Sequence, residues 1–110
     1  MKAVQIHPAI YRIETPFGQG ATVYLYLLKG ERLALVDTGA ADSPRRILQP
    51  ALAEIGLNLS DVEVILNTHI HTDHSGGNLP MKQISKAAIY TPALEAVSYT
   101  HLTLPTIYSV

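Results

Sequence analysis

Three of the chain's five histidines fall within six residues, His69-Ile70-His71-Thr72-Asp73-His74, with an aspartate among them. A lone histidine is usually a surface or core residue, but a cluster this dense needs a common reason, because protonated imidazoles side by side repel. Neutral imidazole and carboxylate suit borderline divalent cations, zinc first, with iron or manganese as alternatives. The chain has no cysteine, so any metal must be held by His, Asp or Glu. His69 and His71 alternate, and in a segment leaving a strand their side chains can converge on one ion. Asp73 and His74 are adjacent, and in a turning loop they can aim at a second point about 3.5 to 4 Å away, the separation that two-metal hydrolytic sites use. The pattern is unlike the helical His-Glu-x-x-His, whose ligands share a helix face.

The elements that must position this segment are readable around it. Ile10-Tyr11-Arg12-Ile13-Glu14 alternates, and residues 22–28 form a β-branched, aromatic and aliphatic run; both read as strands, separated by the turn-rich 16–20. A third strand, residues 32–36, follows the turn at 29–31 and predicts an antiparallel hairpin with the second. It stops at Asp37-Thr38-Gly39, which leaves Asp37 at a strand's C-terminal edge. Ser43-Pro44 signals a helix start, and Ile47, Leu48, Ala51, Leu52 and Ile55 share one face before Gly56 closes the segment. Pro50 inside that helix predicts a kink. A fourth strand, 62–66, leads into the polar loop 68–78, and Gly76-Gly77 permits tight backbone just behind the histidines. A short helix over 79–85, a fifth strand over 87–90 and a helix start at Thr91-Pro92 complete a layered fold with helices against a sheet.

Length and composition narrow the function. With 110 residues the chain is one small domain at most, short for an enzyme with its own substrate pocket. Eight Lys and Arg against nine Asp and Glu leave no basic stripe, which argues against nucleic acid and anionic membranes as partners. No apolar stretch reaches membrane-spanning length, and the N-terminus lacks the pattern of a secretory signal, so a cytoplasmic location is the expectation. His7 reads as a surface residue, Arg45-Arg46 as a solvated helix face, and Tyr24 and Tyr26 as a sheet face rather than an aromatic platform.

The run Asn67-Thr68-His69-Ile70-His71-Thr72-Asp73-His74-Ser75-Gly76-Gly77-Asn78, with Val36-Asp37-Thr38-Gly39 upstream, resembles the N-terminal half of the metallo-β-lactamase superfamily, whose signature is His-x-His-x-Asp-His. The resemblance covers residues 4–95. It implies an α+β fold, the αββα sandwich, of which only the N-terminal half is present. It also implies that His69 and His71 bind a first metal and Asp73 and His74 a second, while Asp37 holds the ligand loop through hydrogen bonds. From the residues alone, Asp37 reads equally well as a strand-end turn residue. The implied cofactor is Zn2+, two per full-length domain, with iron or manganese as alternatives.

The implied activity is metal-dependent hydrolysis of a small-molecule ester, thioester, lactone, amide or phosphoester, with Asp73 as the catalytic carboxylate that holds the second metal and orients the attacking water. An alternative within the superfamily is a mononuclear-iron persulfide dioxygenase, which keeps the same motif; flavin-partnered di-iron members place Glu where His71 stands. The family's remaining ligands come from downstream segments, so the cage here is half built and the isolated chain is expected to be truncated and inactive, binding metal weakly or not at all. Oligomeric state is not readable.

Residues 1–95 therefore read as half a domain and 96–110 as a non-native tail. From Val97 onward there is no Asp, Glu, Lys, Arg or Gly. The string VSYTHLTLPT resembles, residue for residue, one reading frame of a transposon-library sequencing adapter, which removes His101 from the ligand set. The alternative is a Thr-rich edge strand over 98–104.

Overall fold

The computed structural model describes residues 3–17, 20–68, 76–91 and 107–109. Within them one seven-stranded sheet runs in chain order: β1 (Ala3–His7), β2 (Ile10–Phe17), β3 (Ala21–Lys29), β4 (Leu33–Val36), β5 (Val64–Leu66), β6 (Ala88–Thr91) and β7 (Ile107–Ser109). The first four strands are antiparallel neighbours, with Ile13 opposite Leu25 and Tyr26 opposite Val36. The β3–β4 hairpin predicted from sequence is present. From β4 onward pairing is parallel, Val36 beside Leu66 and Leu66 beside Tyr90. Parallel neighbours need a crossover, and α1 (Gln49–Glu54) and α2 (Asn78–Ser85) lie in the first two.

Strand alternation decides which face the helices cover. Ile13, Leu25, Leu27, Leu35, Ile65 and Ile89 are buried, and they share one core with Leu48, Ala51 and Leu52 of the helical segment and Met81 of α2. The opposite face carries Tyr24, Tyr26, Leu28, Ala34, Val36, Val64, Leu66 and Tyr90, which remain partly or largely exposed. This is one helix layer on one sheet layer. Tyr24 and Tyr26 stand on the outer sheet face as expected, with the Arg12 guanidinium 5.1 Å from the Tyr24 ring centre. His7 is exposed and its Nδ1 accepts from the Ala9 amide, 3.2 Å; Arg46 pairs with Asp42 at 3.1 Å on the solvated face.

Several elements differ from the sequence expectation. Pro16, read as turn, lies within β2 opposite Thr22. The neighbouring β1 reaches only Ile13, so the missing Pro16 amide falls where β2 has no partner on that side. The expected kinked helix is a π-helical turn, Pro44–Leu48, followed by α1 with Pro50 in its first turn. In a continuous α-helix the Pro50 ring would strike the carbonyl of Arg46, and the wider turn ahead of it moves that carbonyl away. Ser43 does not cap the segment: its Oγ accepts from the Ala40 amide instead, 3.0 Å. The fourth strand starts at Val64 rather than Val62, although the Glu63 amide still donates to Leu33 O at 2.9 Å. β1 carries no readable signal. The helix start expected after Thr91, and the expected loop from 69 to 75, lie outside the described residues.

Thr15 is buried beneath the helix layer and its hydroxyl has no hydrogen-bond partner among the described residues. A buried orphan hydroxyl costs free energy that an isosteric methyl does not. Thr15→Val is therefore expected to stabilise the chain by about 1 kcal/mol, a rise of roughly 4 °C in Tm. A variant that unfolds at or below the parent temperature in calorimetry would contradict this.

Candidate functional site

The C-terminal ends of β4, β5 and β6 lie side by side at one edge of the sheet, where parallel α/β arrangements place their ligand sites. The ladder continues one residue past the strands: the Asp37 amide donates to Leu66 O, and the Asn67 amide to Tyr90 O, both at 2.8 Å. Asp37 then turns the chain through a left-handed conformation, φ 64°, which Asp tolerates better than most side chains. The turn leaves its carboxylate, on a residue only 3% exposed, facing the end of β5. There Oδ1 accepts from the Thr68 amide at 2.8 Å and Oδ2 from the Thr68 hydroxyl at 2.7 Å.

Thr68 is the last described residue before 69–75, and the chain is described again from Gly76. The return end is tied to the same turn. The Gly77 amide donates to Gly39 O at 3.1 Å, and Gly77 is the N-cap of α2. Its backbone lies so close to the Thr38 carbonyl that a Cβ there would overlap it, which identifies the physical need for glycine at this position. Behind both ends is a buried polar cluster. Asn67 Nδ2 donates to Asn78 Oδ1 at 3.2 Å, Asn78 Nδ2 donates back to Asn67 Oδ1 at 2.6 Å, and the Thr38 hydroxyl donates to Asn78 Oδ1 at 2.7 Å.

Among the residues singled out from sequence, Asp37 is described and stands at the base of the histidine-rich segment. His69, His71, Asp73 and His74 lie outside the described residues, as does His101. Among the described residues no three His, Cys, Asp or Glu side chains come together. The donor set between the two anchors, three imidazoles and a carboxylate with no thiol, fits a borderline divalent cation. Asn67, Asn78 and Thr38 were not anticipated as site residues. Their sequence signals are membership of the two runs that carry the family resemblance and position, since each borders an element end next to the histidine-rich segment or the Asp37 turn.

A helix-covered sheet whose parallel strands end at an Asp-anchored, histidine-rich segment is a scaffold with the donor chemistry to hold a metal. The chain belongs to the metallo-beta-lactamase superfamily, whose family model matches residues 16–109. It is 44% identical over 66 residues to "Probable metallo-hydrolase YqjP" of Bacillus subtilis strain 168, covering 59% of this chain and 20% of that protein. It is 36% identical over 76 residues to a hydroxyacylglutathione hydrolase of Dechloromonas aromatica, covering 68% of this chain and 26% of that one. Among solved structures, the subclass B3 metallo-beta-lactamase BJP-1 of Bradyrhizobium japonicum superposes with a TM-score of 0.72 at 25% identity, covering 86% of this chain and 34% of the lactamase. The chain thus spans between a fifth and about a third of the length of these relatives.

Proposed function

We propose that this chain is the metal-loop half of a metal-dependent hydrolase, with His69 and His71 as ligands to one zinc and Asp73 and His74 as ligands to a second. The observation that carries the reading is the grip of Asp37 on Thr68, one residue before the first histidine. A buried carboxylate spends both oxygens on fixing the root of the segment. That is how a scaffold holds ligand-bearing backbone in one geometry, and such outer contacts matter to metal affinity almost as much as the ligands.

When bound, the metals supply Lewis acidity and a water acidified to a pKa near 7. The chain's own part is positional. β5 supplies a rigid base, Asp37 fixes where the segment leaves it, and Asp73 would hold the second metal and orient a water there. The substrate is a small molecule with an ester, thioester, lactone, amide or phosphoester bond, and the location cytoplasmic. Relatives named a metallo-hydrolase and a hydroxyacylglutathione hydrolase support hydrolysis, and one named "Putative diflavin flavoprotein A 1", 38% identical over 66 residues, supports redox chemistry, so the metal content decides between the two.

Residues 96–110 are proposed to be foreign and the native protein to continue after Glu95. The partly exposed apolar residues on the outer sheet face support a missing second layer. The pairing of β7 with β6 is compatible with a foreign origin, because an unpaired parallel edge accepts any apolar, β-branched segment. The test is to express the protein with the coding sequence that follows codon 95 in its source locus and measure its metal. Two zinc per chain supports the hydrolase reading. One iron per chain supports the dioxygenase alternative, and no tightly held metal refutes both.

A further inference from the structure

Resting on that reading, we infer that Asn78 is a positioning residue, the keystone of a clasp that fastens both ends of the histidine-rich segment to the turn after β4. The argument begins with burial. Asn78 and Thr38 are fully buried and Asn67 is 7% exposed. Buried polar side chains are tolerated when they are hydrogen-bonded, and these three bond one another reciprocally. Asn78 Oδ1 accepts two hydrogen bonds while its Nδ2 returns one to Asn67.

What the cluster joins matters more than its cost. Asn67 is the residue after β5, Thr38 belongs to the turn after β4, and Asn78 is the first residue of α2. Residues 69–75 leave the sheet next to the first and re-enter the fold next to the third. An apolar trio of the same size would fill the space equally well, yet it would let α2 slide or rotate against the β5 end. Directional amide pairing forbids that motion, because one pair of short bonds fixes both separation and rotation. Asn78 lies four residues beyond His74 and Asn67 two before His69, so both held ends are close in sequence to the proposed ligands.

The clasp predicts a local effect that a merely structural buried residue would not produce. In the metal-free 110-residue chain, amide hydrogen exchange is followed by NMR in the parent, Asn78→Ala, Thr38→Val and Thr38→Ser. Asn78→Ala should accelerate exchange of the Thr68 and Gly77 amides roughly tenfold relative to the Ile65 and Leu35 amides. Thr38→Val should do the same to a smaller degree, and Thr38→Ser, which keeps the donor, should restore parent rates. If Asn78→Ala does not fold, the Thr38 pair decides alone.

Uniform acceleration across the sheet, or none, overturns the inference. Zinc added alone to the same samples separates this proposal from the functional one. If the parent shows zinc-dependent shifts, Asn78→Ala should raise the apparent Kd about tenfold, and an unchanged Kd overturns the link to the metal ligands. If the parent shows no response to zinc, as a half-built ligand set allows, the exchange pattern alone decides the clasp, and the metal reading stands or falls on the extended protein.

Discussion

Replacing Asp37 by alanine is expected to cost about 3 kcal/mol of stability, by glycine about 2, and by asparagine about 1. The order follows from two separable features of the residue. Its carboxylate accepts from both the amide and the hydroxyl of Thr68, and charge-assisted bonds of this kind exceed neutral ones. Its backbone sits at φ 64°, where a Cβ without a short polar side chain is disfavoured by about 1 kcal/mol. Alanine loses the bonds and keeps the strain; glycine loses the bonds and relieves the strain; asparagine tolerates the conformation and keeps one acceptor. Because Thr68 is itself exposed, water can reach the vacated donors, which holds the alanine cost below the full penalty for burying orphans. Urea unfolding of the four proteins should rank their midpoints parent, Asn, Gly, Ala. Equal midpoints for Gly and Ala would remove the strain argument, and an Asn variant as weak as Ala would remove the hydrogen-bond argument.

The ligand types were legible because six consecutive residues carry them, so chemistry and spacing appear in one glance along the chain. The scaffold behind them was legible at Asp37, a charged residue at the end of an apolar run, and at Gly77, a glycine just behind the histidines. Thr38, Asn67 and Asn78 are neutral, common at strand and helix ends, and brought together from segments up to 40 residues apart. Their meaning depends on parallel register between β4 and β5, which places Val36 beside Leu66, and no local pattern encodes that pairing.

The fold divides along the same line. β3, β4 and β5 bury alternate side chains under the helices, so their apolar runs announce them. β1 buries only Ala3, while Val4 and Ile6 are 44% and 49% exposed. It is held by backbone pairing to β2, which leaves little trace in side-chain pattern. The helical segment was located correctly by Leu48, Ala51 and Leu52. Its register change was not visible, since Pro50 states that an ordinary helix cannot continue without stating whether the chain kinks or widens.

Gly77→Ala is expected to cost at least about 3 kcal/mol, although the residue has an unremarkable backbone conformation, φ −84° and ψ 0°. By propensity alone the change should stabilise the chain slightly, because alanine narrows the unfolded ensemble. The contact reverses the sign. A Cβ at this point overlaps the Thr38 carbonyl and lies 3.0 Å from both Cδ and Cγ of Pro44; neither a backbone carbonyl nor a proline ring can rotate away. Relief requires either the Thr38 peptide to move, which pulls its hydroxyl from Asn78, or the start of α2 to lift, which breaks the Gly77 to Gly39 bond. Gly30 provides the control: an added Cβ there meets only Arg32 O at 3.9 Å, so Gly30→Ala should be neutral or gain about 0.5 kcal/mol. If denaturant unfolding finds Gly77→Ala as stable as Gly30→Ala, the close approach of α2 to the turn after β4 is not a constraint on the fold, and the return anchor of the histidine-rich segment must lie elsewhere.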